Sequence, residues 1–186
     1  MAADVIVVSS YLPEKGERPY RSKEFRVVAL PCGTGYDSLF DYSRGLQAVW
    51  GSDFTIVNVE HDMECSDGLI QQLLDCPHPL CAHAYLLRKK GPYAYRNGPL
   101  PPAGGYEDHW LRPGDEWATF GGIGLVKITP GARVRPLPER EWSTVDIVVT
   151  KACEGAEVVP GGHHKGRRWH VHWPAIKHSS YNEPDE

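Results

Sequence analysis

The run Phe54-Thr-Ile-Val-Asn-Val59 is the strongest constraint on how this chain folds. Phe54, Ile56, Val57 and Val59 put apolar side chains at both parities of a short, β-branched stretch. Such a run fits a strand buried on both faces, and strands of that kind belong inside sheets covered by helices. It stops abruptly at Glu60-His61-Asp62. Acidic residues at the carboxyl end of a buried strand stand where open α/β sheets place their ligands. Carboxylate oxygens suit hard divalent cations, and a cation held there can grip the phosphates of a nucleotide. The competing reading is a solvated turn at the strand end.

The neighbouring segments supply the rest of an α/β pattern. Val5-Ile-Val-Val8 and Phe25-Arg-Val-Val-Ala-Leu30 predict strands, with a polar loop over 9–24 between them. From Asp37 to Trp50 the apolar positions Leu39, Tyr42, Leu46 and Val49 recur at helical spacing; Asp37-Ser38 can cap the start, and Gly51 ends the segment. A second amphipathic helix is predicted around 67–74, followed by a strand over 81–87. Residues 88–118 are rich in Gly, Pro and aromatics and read as a long loop. Phe120 to Ile128 reads as a further strand, and Trp142 to Val149 as a helix beginning near Ser143. Alternating strands and helices predict an α/β fold, a mostly parallel mixed sheet flanked by helices in a single domain over 1–180, with 181–186 a frayed polar tail.

A formal net charge of -4 argues against a surface wholly devoted to nucleic acid, although a local basic patch remains open. No apolar run reaches the length of a membrane span, so no membrane partner is expected. Five cysteines, an odd number, and the absence of a signal-peptide pattern at the start point to free thiols in a reducing cytoplasm.

Five of the nine histidines fall within 163–178, and His170-Val-His172 places two imidazoles on one strand face. Imidazole with carboxylate suits Mn²⁺, Fe²⁺ or Zn²⁺ better than Ca²⁺. The alternative is an aromatic corner in which these rings stack with Trp169 and Trp173. Cys76-Pro-His-Pro-Leu-Cys81, with Cys65 and His83 nearby, invites a zinc reading. Structural zinc usually needs a second ligand pair at recognisable spacing, and the remaining cysteines are Cys32 and Cys153.

Several segments taken in order carry a resemblance. Asp37, Tyr42 and Trp50 ahead of Phe54-Thr-Ile-Val-Asn-Val-Glu-His-Asp-Met63, then Leu73 to Tyr85, Phe120 to Ile128, Trp142-Ser-Thr-Val-Asp146 and His170 to His178, are similar to small, phage-type glycosyltransferases of the A fold, related to the large family-2 group. The similarity spans roughly 36–178 and implies a reduced version of that fold. It implies that Glu60 and Asp62 take the role of the family's acidic triplet, binding Mn²⁺ or Mg²⁺ and the diphosphate of a nucleotide-sugar donor. Asp62 is then the direct ligand, and His172 or His178 completes the metal sphere. The triplet begins with Glu rather than Asp, and the region before Asp37 shows no clear base-recognition pattern. The resemblance further implies Asp146 as the base that activates the acceptor hydroxyl, with Gly121, Gly122 and Gly124 allowing close approach to the sugar. Trp110 and Trp117 are candidates for a stacking lid. A hydroxylated DNA base is one acceptor this reading allows, with Lys165, Arg167, Arg168 and Lys177 as phosphate contacts; the setting would then be a host cytoplasm.

Two other function classes compete. One is a non-catalytic binding module on the same fold. The other is a His-metal nuclease of the HNH kind, suggested by His163-His164 with Lys165, Arg167 and Arg168, which requires a ββα-metal element around those histidines.

Overall fold

The short β-branched runs form strands and the amphipathic ones helices. The computed structural model describes residues 4–33, 36–86, 95–96, 112–118, 120–137, 145–153 and 169–178. Its elements are β1 (Val5–Tyr11), β2 (Arg26–Pro31), α1 (Tyr36–Trp50), β3 (Thr55–Val59), α2 (Asp67–Asp75), β4 (Leu80–Tyr85), β5 (Tyr95–Arg96), β6 (Trp117–Ala118), β7 (Phe120–Gly121), β8 (Leu125–Ile128), α3 (Val145–Ala152) and β9 (Trp169–Ile176). Seven strands make one mixed sheet in the order β2-β1-β3-β8-β4-β9-β6, and β5 pairs with β7 separately. β1, β2, β3, β4 and β9 run one way, while β8 and β6 run against them. The α/β class and the mostly parallel mixed sheet are therefore as the sequence predicts.

Alternation along each strand divides the core into two layers. Ile6, Val8, Ile56, Ala82, Val126 and Val171 meet Tyr42, Leu46 and Trp50 of α1 and Val148, Val149 and Ala152 of α3 on one side. Val7, Val57, Val59, Cys81 and Leu125 meet Ile70 and Leu73 of α2 on the other. Every residue of β3 is buried, as its two-faced apolar pattern requires. Arg133 ties the far end of α1 to the start of β3. Its Nη2 donates to Ser52 O at 2.6 Å and Phe54 O at 2.8 Å, and its Nη1 to Val49 O at 3.3 Å. A guanidinium suits this position, because the last carbonyls of a helix lack intrahelical donors and carry partial negative charge.

Four sequence expectations change. β1 continues through Ser9 and Ser10 to Tyr11, where a loop was expected, because its backbone is paired with β2 on one side and β3 on the other despite the polar side chains. The expected strand over 120–128 is interrupted at Gly122–Gly124, so β7 joins β5 while β8 enters the main sheet. The segment read as a long loop contributes β5 and β6; its other residues lie outside the described ones, apart from 112–116. α1 starts at Tyr36, so Asp37 and Ser38 fall in its first turn rather than ahead of it.

His83 joins the sheet to α2, with Nε2 3.2 Å from Leu69 O. Burial pulls its pKa down to about 4, against an ordinary value of 6.5. The folded form thus favours neutral imidazole, and the unfolded chain takes up the proton first as pH falls. The resulting stability is fully present above about pH 6.5 and declines toward pH 4, by up to about 3 kcal/mol at 1.36 kcal/mol per unit. Urea unfolding between pH 7 and 4 should show this loss, and His83→Leu should flatten the slope. An unchanged slope in the variant would assign the acid sensitivity to other groups.

Candidate functional site

Because five strands share a direction, the carboxyl ends of β1, β3, β4 and β9 gather at one edge of the sheet, where the antiparallel β8 begins. The turn that follows β3 is fastened there from three sides. Glu60 N–H donates to Gly124 O at 2.8 Å, Met63 N–H to Glu60 O at 3.2 Å, and Glu64 N–H to Lys177 O at 3.0 Å. Met63 also bridges His178 in antiparallel fashion. Asn58, buried within β3, donates through Nδ2 to Ile123 O at 2.5 Å and so holds the Gly122–Gly124 segment against the strand end.

These backbone bonds bring acidic and imidazole side chains together. Asp62 Oδ2 lies 3.2 Å from His178 Nε2 and 3.9 Å from His61 Nε2. His61 Nδ1 is 3.0 Å from Glu17 Oε2, which also accepts from Leu12 N–H at 3.0 Å. The Tyr85 ring is stacked on His178, with centroids 5.3 Å apart and planes 2° from parallel. Burial lowers the His178 pKa, and it outweighs the opposing pull of Asp62. His178 is thus held toward the neutral imidazole that a metal ligand must be. A carboxylate oxygen beside neutral imidazole nitrogen is a donor set suited to Mn²⁺ or a similar borderline-hard cation.

Of the residues singled out in the sequence, Asp62 and His178 are therefore neighbours. Glu60 is half-buried in the same turn. Gly122 is buried beside β8, and Gly121 pairs with Tyr95 across β5 and β7. Asp146 falls in the first turn of α3, and its side chain lies outside the described residues. So do Trp110, His163, His164, Lys165, Arg167 and Arg168. Trp117 is in β6 with its ring edge-on to His78 at 4.7 Å and to His170 at 5.0 Å.

His172 belongs to a second group, on the α2 side of the sheet. Parallel pairing of β4 with β9 sets Cys81 against His170 and His83 against His172. Cys76, just past the end of α2, then meets both late histidines: Cys76 Sγ is 3.3 Å from His170 Nδ1, and one ligand atom from each of Cys76, His170 and His172 lies within 4.8 Å of the others. Lys127 is buried beneath them and donates through Nζ to Cys76 O at 2.5 Å. Burial pushes the Cys32 and Cys65 thiols up to about 11 and about 12, and raises Cys81 as well. Cys76 goes the other way, to about 3: Cys81 donates to its sulfur, and the His172 side chain and the His78 backbone N–H add to the effect. The sequence showed both halves of this group, the cysteine segment and the His-Val-His pair. What it did not show is that β9 lies beside β4.

No family model matches the chain, and no curated protein matches it either. Among solved structures, the crystal structure of A197 from STIV is similar over 69% of this chain and 65% of that one, with 14% sequence identity and a TM-score of 0.41. No helix among the described residues is long and apolar enough to cross a membrane.

Gly124 is the tightest point of the carboxyl edge. A Cβ there would stand 2.7 Å from Met63 Sδ and 2.9 Å from Tyr85 Cε1. Met63 can swing aside, but the Tyr85 ring is packed on His178. Gly124→Ala should therefore displace Tyr85 and His178 and destabilise the fold by about 1–3 kcal/mol, the usual cost of overpacking. Thermal unfolding and the His178 imidazole NMR shifts should both respond. An unaltered imidazole signal would show that the contact relaxes through Met63 alone.

Proposed function

We propose that the protein is a metal-dependent glycosyltransferase that moves a sugar from a nucleotide-sugar donor to a hydroxyl acceptor. The observation that carries this reading is the approach of Asp62 and His178 at the carboxyl edge of the sheet, 3.2 Å apart and brought from distant parts of the chain. That edge is where open α/β sheets receive nucleotides. The motif resemblance over 36–178 supports the same assignment, as does the close packing at Gly124, which keeps the segment entering β8 tight against the acidic turn.

In this reading Asp62 and His178 hold the cation, with Glu60 in the same turn contributing to the donor's diphosphate site. A cation bound there would neutralise the charge that develops on the leaving diphosphate. The chain's own residues do the rest. Glu17 and the Leu12 backbone orient His61, and His61 borders Asp62. The buried Asn58 fixes Gly122–Gly124 against the end of β3. Asp146, on α3, is the acceptor-activating base. A hydroxylated DNA base remains an acceptor within this reading, and the setting is a cytoplasm, that of a host if the protein is phage-encoded. The histidines that suggested the HNH-nuclease alternative, His163 and His164, lie outside the described residues.

Calorimetry with Mn²⁺ and a panel of sugar nucleotides tests the donor site. Asp62→Ala should abolish Mn²⁺-dependent nucleotide binding with the fold intact, Glu60→Ala should weaken it less, and His178→Ala should lower Mn²⁺ affinity while His172→Ala leaves it unchanged. Unchanged nucleotide affinity in Asp62→Ala would remove the proposal, and no response of the wild type to any nucleotide would favour a non-catalytic binding module.

Asp146→Asn tests the acceptor side. It keeps the shape of the residue but not its basicity, so transfer should fall by about 10²–10⁴-fold with donor binding nearly unchanged. A full transfer rate in that variant would move the base to another carboxylate, and loss of donor binding would make Asp146 structural.

A further inference from the structure

The geometry points to a second metal site, distinct from the carboxyl-edge turn, in which Cys76, His170 and His172 bind Zn²⁺ on the α2 side of the sheet. Three independent elements build it. Cys76 follows the last turn of α2, and its own N–H is bonded to Leu73 O, so its position is set by the helix end. His170 and His172 are alternate residues of β9 and share a face because successive strand residues point to opposite sides. β4 fixes the height of both by pairing Cys81 with His170 and His83 with His172.

The Cys76–His170 separation fits a single small cation, and a ligand pair at the 4.8 Å limit would draw in by about 1 Å as the ion binds. A Zn–S bond of about 2.3 Å and a Zn–N bond of about 2.0 Å at a tetrahedral angle place sulfur and nitrogen about 3.5 Å apart. Cys76 Sγ and His170 Nδ1 are 3.3 Å apart, and the ligand atoms of all three residues fall within 4.8 Å of one another. His172 Nε2 is a buried ring nitrogen with no hydrogen-bond partner among the described residues. An unsatisfied buried nitrogen is costly, and coordination is one way to satisfy it.

The donor set selects the metal class. One thiolate with two imidazoles favours a borderline-soft ion, whereas the carboxylate-bearing turn suits Mn²⁺ or Mg²⁺. The axial thioether of a blue-copper centre is missing among the described residues. Met63, the only described methionine, instead packs against Gly124 at the carboxyl edge. Cys76 also lines a cleft of about 520 Å³ together with Gln71, Asp75, His78 and Lys127. Three protein ligands leave one tetrahedral position open, and the bound ion would staple β9 to the end of α2.

The full-length protein, stripped with a chelator and titrated with Co²⁺ as a spectroscopic stand-in for Zn²⁺, tests this directly. One equivalent of Co²⁺ should bind with a thiolate-to-metal charge-transfer band and tetrahedral d–d bands, Zn²⁺ should bleach both, and the thermal midpoint should rise with Zn²⁺ concentration. Cys76→Ser should lose the charge-transfer band. His170→Ala and His172→Ala should each weaken Co²⁺ binding by more than about 100-fold, beyond the loss typical of an outer-shell partner. Asp62→Ala should leave the band untouched, so this site stands or falls separately from the carboxyl-edge reading. Absence of the band in the wild type would overturn the proposal whether or not the variants fold, and so would its persistence in Cys76→Ser.

Discussion

β3 has neither a free face nor a free edge, and the placement of everything else follows from that. It lies between β1 and β8, with all five of its residues buried. In a strand with one polar face, alternation fixes the register, because a one-residue slip would expose the core. β3 is apolar on both sides, so that discrimination is weak. Asn58 supplies it instead: its side chain is buried, and its Nδ2 reaches Ile123 O at 2.5 Å. A slip in either direction would leave that amide buried without its partner, which costs more than moving one apolar residue for another. The position of Glu60, His61 and Asp62 at the sheet edge is thus set by Asn58, a polar residue near the end of a largely apolar strand.

Much of the fold was legible for the same reason that β3 was. Val5 to Val8, Phe25 to Leu30 and the spacing of Tyr42, Leu46 and Trp50 each bury a defined face, and burial is what a hydrophobic pattern encodes. Ser9 and Ser10 were misread because their partners are backbone groups of β2 and β3, which side-chain polarity does not report. The division of 120–128 turns on Gly122 to Gly124, where the chain leaves one small sheet for the main one. The candidate residues divide likewise. Asp62 and His178 were both visible as chemistry, but that His178 rather than His172 stands beside Asp62 depends on the path of the chain past the end of β9. The meeting of Cys76 with His170 and His172 was not legible, because parallel pairing between distant strands leaves no local mark in the sequence.

β9 and the residues just past its end supply residues to both groups, and an irregularity separates them. Between His83 and Tyr85, β4 advances two positions while β9 advances four, from His172 to Ile176. Bulges of this kind re-aim side chains and are common beside functional sites. Ahead of the irregularity, His170 and His172 face Cys76; beyond it, the chain turns to bridge Met63 and sets His178 on Tyr85 and Asp62. One short stretch of chain, 169–178, therefore supplies histidines to two differently composed groups, cysteine and imidazole on the α2 side and carboxylate with imidazole at the carboxyl edge.

The pairing of β4 with β9 also has a kinetic side. Cys81 and His170 are neighbours in the sheet, yet almost half the chain lies between them. Contacts that close so long a loop form late, after the entropy of closure has been met by other parts of the fold. Until β9 arrives, the outer edge of β4 is an unpaired, apolar row from Leu80 to Tyr85. An exposed edge of that kind accepts any strand of suitable pattern, including β9 from a second molecule. The segment that finishes both groups is thus also the one that two nascent chains at high concentration are best placed to exchange, giving a swapped dimer whose sites each draw on two polypeptides.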